Sequence, residues 1–93
     1  MVATMDDTMK MIIDNNNKDI DFYKGQIKWD NEMISLYKKQ LKMDCFNDNE
    51  KYDIMRKLAG LYKVRKENKE RLEHYCNRLY ENVCLLLKMK GGN

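Results

Sequence analysis

No proline occurs in the chain and glycine appears only four times, so little in the sequence forces a helix to break. No window approaches the roughly 18 to 20 continuous apolar residues that span a bilayer. The opening stretch "MVATMDDTMK" also lacks the basic start and apolar core of an export signal. The expectation is a soluble, cytoplasmic protein without a membrane partner. Cysteine is scarce and odd in number: Cys45, Cys76 and Cys84 include no pair with the two-residue gap of a zinc knuckle or redox motif. On one helix, Cys76 and Cys84 would stand about 12 Å apart at 1.5 Å per residue, too far for a disulfide. Buried free thiols in a reducing compartment are therefore expected.

Catalytic groups are equally sparse. His74 is the single histidine, and in helical register its neighbours are Glu70, Arg71, Asn77 and Arg78, with no cysteine to form a thiolate pair or metal site. No glycine-rich loop stands between a strand and a helix to cradle phosphate. The carboxylate pairs Asp6-Asp7 and Asp19-Asp21 fall near expected helix starts or on polar faces, where dipole compensation and solubility explain them. No enzyme activity, cofactor or metal is expected.

What the chain does have is charge and apolar residues in a regular order: 43% of its 93 residues are hydrophobic and 35% charged. That composition lies far from the disordered class. A chain of this size buries only about 60 to 65% of its unfolded surface. Its stability would then be marginal without oligomerisation. The net charge of +3 is unevenly placed: residues 1–50 carry −3 and residues 51–93 carry +6. An acidic half can lie against a basic half, which weakens any inference to nucleic acid drawn from the overall basicity.

The strongest pattern is a seven-residue repeat. In the first half Ile13, Ile20, Ile27, Ile34 and Leu41 recur at that interval, with Met9, Tyr23 and Tyr37 on the complementary positions and Asn16 and Asp30 as polar exceptions. In the second half Met55, Leu58, Tyr62, Leu72, Cys76, Leu79, Val83 and Leu86 follow the same spacing, with Arg65 and Lys69 as exceptions. Thr4 with Asp7, and Asn47 with Glu50, resemble capping boxes, and Lys88, Lys90 and Gly91-Gly92 form a helix stop. The reading is a single all-α domain over residues 1–93: helix 5–43, turn 44–49, helix 50–89. The two long helices form an antiparallel hairpin. The three asparagines within residues 14–18 mark a candidate break that would set off a short N-terminal third helix.

A second apolar stripe accompanies the first. Phe22, Trp29, Met33, Leu36 and Met43 flank the first seam, and Ile54, Leu61, Val64 and Tyr75 flank the second. Two helices share only one contact line, so this width predicts a homo-dimer or higher homo-oligomer forming a helical bundle. Gly25 and Gly60 occupy the outermost heptad positions, where glycine costs about 1 kcal/mol relative to alanine.

"KVRKENKER", residues 63–71, interrupts the second repeat with five basic residues in nine. If the hairpin turns near residue 47, Asp30 faces Arg65 and Lys69 falls near Gln26 and Tyr23. One reading is therefore a polar layer pairing Asp30 with Arg65, which fixes register. Another is a phosphate site for nucleotide or nucleic acid, in which Arg65, Lys66, Lys69 and Arg71 supply cations beside Tyr62. A third is a solvated face. In outline the layout is similar to the secreted Trp-x-Gly hairpins, although Trp29 is followed by Asp30 and Asn31, and to the shorter Rop-type RNA-binding hairpins, with no local motif shared. Both likenesses extend to topology alone.

The functional expectation is a non-enzymatic adaptor or inhibitor docking on a host macromolecule, most simply a protein, through Phe22, Trp29 and Met33, since aromatic and methionine side chains concentrate interface energy. The Lys, Asn, Ile and Met richness is what an AT-rich genome encodes, and so small a protein suits a phage or other mobile element. The alternative is the phosphate binder.

Overall fold

The computed structural model describes residues 4–91, which form two helices, α1 (Met5–Leu41) and α2 (Asp48–Gly91), joined by a short turn. Gly92, expected in the C-terminal stop, lies outside the described residues. Both starts are capped as the side chains dictate. Thr4 Oγ1 accepts from the Asp7 N–H at 3.1 Å, placing acidic Asp6 and Asp7 against the positive end of α1. At α2 the capping box is reciprocal: the Glu50 N–H donates to Asn47 Oδ1 at 2.8 Å and the Asn47 N–H donates to Glu50 Oε1 at 3.1 Å. The end of α1 tightens, with the N–H groups of Lys42 and Met43 donating to the carbonyls of Lys39 and Gln40 at 3.1 Å each. At the open end of the hairpin Asp6 meets Lys10 at 3.2 Å and Lys90 at 4.0 Å.

The helices lie side by side in a flat layer of 67 × 26 × 14 Å. The short dimension is little more than one helix diameter, so the seam between α1 and α2 is the whole core. On α1 the seam is the expected one: Asn16, Ile20, Asp30 and Ile34 are buried, and Met9, Ile13, Tyr23, Ile27, Tyr37 and Leu41 are half-buried between them. The helix passes through residues 14–18 without a break. Its middle asparagine points into the seam, where Asn82 Nδ2 donates to Asn16 Oδ1 at 2.7 Å. A side chain satisfied across the hairpin does not compete for its own backbone.

On α2 the seam differs from expectation by one residue in half its positions. Leu58, Arg65, Leu72, Leu79 and Leu86 face α1 as the repeat predicts. The intervening row is Ile54, Leu61, Asn68, Tyr75 and Asn82; of the row expected there instead, Met55, Tyr62, Lys69 and Cys76 are exposed and Val83 is half-buried. The cause is the matching of polar residues. Asn68 Nδ2 donates to Asp30 Oδ2 at 2.9 Å, and between this layer and the Asn16–Asn82 layer the rings of Tyr23 and Tyr75 stack at 5.6 Å. The partners step seven residues up α1 and seven down α2, so every polar seam residue of α1 meets an asparagine. Rotating α2 to bury Met55 and Cys76 would set Lys69 in the seam and leave Asp30 and Asn16 without these partners. Unpaired polar burial is the larger penalty.

Asp30 is the most deeply buried of these groups, at 1% exposure, and its second oxygen, Oδ1, has no hydrogen-bond partner. Asn68→Ala would strip the remaining bond from this carboxylate and is expected to lower stability by about 2 to 4 kcal/mol. Replacing both residues, Asp30→Leu with Asn68→Leu, is expected to restore or exceed the original value, because two apolar groups need no partner. Urea denaturation of the three proteins checks this, and an Asn68→Ala protein as stable as the parent would disprove the role of the pair.

Candidate functional site

Among the described residues the seam hides three hydrophobic side chains to better than nine-tenths, Ile20, Ile34 and Ile54, while fifteen large apolar ones are exposed. Their placement is not scattered. On α1, Phe22, Trp29, Leu36 and Met43 recur every seven residues along the outer flank, Phe22 and Trp29 being 57% and 52% exposed, and Met33 is half-buried between this row and the seam. The row exists because α1 carries apolar residues over more of its circumference than one neighbouring helix can cover. Gly25 lies on the neighbouring outermost line, and a Cβ added there would meet nothing within 4 Å. The Phe22 ring meets the edge of Tyr23 at 5.1 Å, so the outer row rests on the Tyr23–Tyr75 layer of the seam.

α2 carries a comparable band of exposed residues, Met55 and Tyr62 on one line and Tyr52, Tyr80 and Leu87 on the next. Heptad geometry turns it to the opposite broad face of the layer. Contacts mark the two faces. Arg65 Nη1 donates to Asn31 Oδ1 at 2.8 Å and its guanidinium lies 5.1 Å from the Tyr62 ring, which Lys38 approaches at 5.6 Å from α1. Arg71 is on the other face, 6.0 Å from the Tyr23 ring, beside the Phe22–Trp29 flank.

These positions divide the basic stretch. Arg65, Lys66, Lys69 and Tyr62 share a shallow depression, but Glu70 and Glu73 line it too, and Arg71 belongs to a separate one with Tyr23, Glu67, Glu70, His74 and Tyr75. The expected pairing of Asp30 with Arg65 does not form. Asn68 takes Asp30, and Arg65, set at the edge of the seam, takes the neighbouring Asn31. The hairpin levels are displaced by about three residues from those of a turn centred on residue 47, which brings Asn68 rather than Arg65 level with Asp30. Lys69 is exposed rather than close to Tyr23, and Tyr75 occupies that place.

Asn68, Asn82 and Asn31 are the polar contacts that sequence reasoning missed. A signal for two of them was present: the polar seam residues of α1 and the asparagines of α2 share one fourteen-residue spacing, 16 to 30 and 68 to 82. Among the described residues no three His, Cys, Asp or Glu side chains gather where a metal could be held. Cys45 and Cys76 are exposed and Cys84 is half-buried, all as free thiols, so burial does not protect the first two as expected. No described helix is long and apolar enough to cross a membrane. No protein-family model matches the chain, and neither a curated protein nor a solved structure does.

Because Arg65 bonds a half-solvated partner, Arg65→Ala is expected to cost no more than about 1 kcal/mol. Urea midpoints of this variant and of Asn68→Ala compare the two registers directly. A loss from Arg65→Ala as large as that from Asn68→Ala would put Arg65, and not Asn68, on the buried carboxylate.

Proposed function

We propose that the chain is a non-enzymatic protein-binding module of the adaptor or inhibitor type, working in the cytoplasm of a cell or of the host of a mobile element. It engages protein surfaces, its own copies included, through the outer flank of α1, with Phe22, Trp29 and Met33 as anchors. The observation that carries this reading is the exposed apolar row on α1 in a fold whose core holds, among the described residues, three buried hydrophobic side chains. Contiguous apolar surface of this kind on a small protein is characteristic of interaction sites, and the half-exposed Phe22 ring resting on the Tyr23–Tyr75 pair loses little conformational freedom on being covered. Assembly into a bundle follows from the same imbalance, since the surface left by one hairpin is what a second helix layer buries.

The phosphate-binding reading has less support. Its cations sit on two faces and share their depressions with glutamates, which repel phosphate. Binding of a labelled oligonucleotide is therefore expected to be undetectable near physiological salt. Affinity that falls steeply between about 50 and 200 mM salt would instead make the basic face the functional one.

The flank itself is tested by replacing Trp29 with a photoreactive benzophenone amino acid in producing cells, and Asn77, exposed on α2 away from the α1 flank, as the control. Irradiation is expected to give discrete protein adducts from position 29 and none from position 77. Absence of adducts at 29, or the same smear at both, would sink the proposed surface.

A further inference from the structure

Gly25 stands three residues after Phe22 and four before Trp29, so the three are neighbours on the surface of α1. Nothing in the hairpin needs a glycine there: its backbone is ordinary helix, and the space beside it is open. A residue that weakens its own helix without serving its own packing points to a backbone approached from outside. The charges around it indicate by what. Lys18 and Glu32 lie seven residues to either side of Gly25 on the same outer line of the helix, with opposite signs. On the adjacent line Asp21 and Lys28 flank it in the reverse order. All four are exposed, and none takes part in an ion pair among the described residues. A pattern that changes sign across one point is complementary to itself when turned end for end.

We propose that the partner of the α1 flank is a second copy of this chain, packed antiparallel along α1 with a two-fold axis at Gly25. This rests on the binding surface proposed above and names its occupant. In this arrangement Lys18 meets Glu32 of the second copy and Asp21 meets its Lys28, each pair occurring twice as two-fold symmetry requires. Phe22 lies beside Trp29 of the second copy, the two backbones approach at Gly25, and Met33 borders the contact. The register is unique: sliding the copies by one turn sets the charges out of step and moves the glycines apart.

Sedimentation equilibrium of the whole chain, with charge reversals at the outer line, tests this. The parent is expected to dimerise. Lys18→Glu and Glu32→Lys should each raise the dissociation constant by roughly tenfold, since each creates two like-charge pairs. Lys18→Glu combined with Glu32→Lys should bring it back to within about threefold of the parent, because the pairs are restored with signs exchanged. Gly25→Ala should raise the thermal stability of the hairpin while weakening the dimer, whereas Gly60→Ala should raise stability alone. All these positions are exposed, and circular dichroism verifies that each variant stays helical. A chain at its single mass of 11.3 kDa up to about 100 µM, or a dimer indifferent to the single reversals, would overturn the two-fold contact. If that single-mass chain still gives adducts from position 29 with heavier proteins, the binding surface stands and only the second copy is wrong. If it gives none, both readings fall.

Discussion

The hydrogen bond between Asn68 and Asp30 is the interaction on which the hairpin's register depends. A seam built only from Ile and Leu tolerates slippage by a turn, because one aliphatic layer resembles the next. A carboxylate at 1% exposure does not, since a register that sets it against Leu61 or Leu72 leaves it facing hydrocarbon. The Asn16–Asn82 bond repeats the constraint fourteen residues away, and the Tyr23–Tyr75 stack lies between the two. Asp30 retains an oxygen without a partner, so the layer is not optimised for stability. Its effect is on specificity, in the way a single buried polar residue selects one alignment of a coiled coil.

Once the polar layers choose the rotation of α2, the distribution of surface follows. The seam consumes one line of each helix. The residual apolar lines fall on opposite broad faces, Phe22 and Trp29 beside one groove, Met55 and Tyr62 beside the other. A single partner helix layer laid on the hairpin can cover only one of them. Two hairpins stacked broad face to broad face would therefore bury one of these rows and leave the other in water. Contact along the outer edge of α1 likewise covers the row of one helix and leaves the α2 row free.

How much of this could be read from the residues depends on how redundant the apolar pattern is. α1 was legible throughout: its every-seventh position is Ile or Leu without exception from Ile13 to Leu41, and only one complementary row completes it. α2 was not, because two rows flank its leucines. Met55, Tyr62 and Cys76 are apolar and stand on the row that the fold leaves exposed, whereas the row it takes holds Asn68 and Asn82, so periodicity favours the wrong one. The choice is made by partners on the other helix, which no single-helix pattern contains. The asparagines within residues 14–18 misled for a related reason. Their helix-breaking tendency is local, and a cross-hairpin bond overrides it for the one that faces inward.

The basic run shows the same conversion of a linear feature into a distributed one. At about 100° per residue, nine consecutive helical positions circle the axis more than twice, so a cluster in sequence cannot be a cluster in space. Within "KVRKENKER" the seam claims Arg65 and Asn68, one face receives Lys66 and Lys69, the other receives Arg71, and the two glutamates are interleaved among them. A helix that binds phosphate along one side would need its cations three and four residues apart with acids kept away. Here Lys66 and Lys69 meet that spacing, and Glu70 and Glu73 share their depression. The stretch therefore presents no continuous positive surface. Its one residue indispensable to the fold is not a cation but the asparagine in its middle.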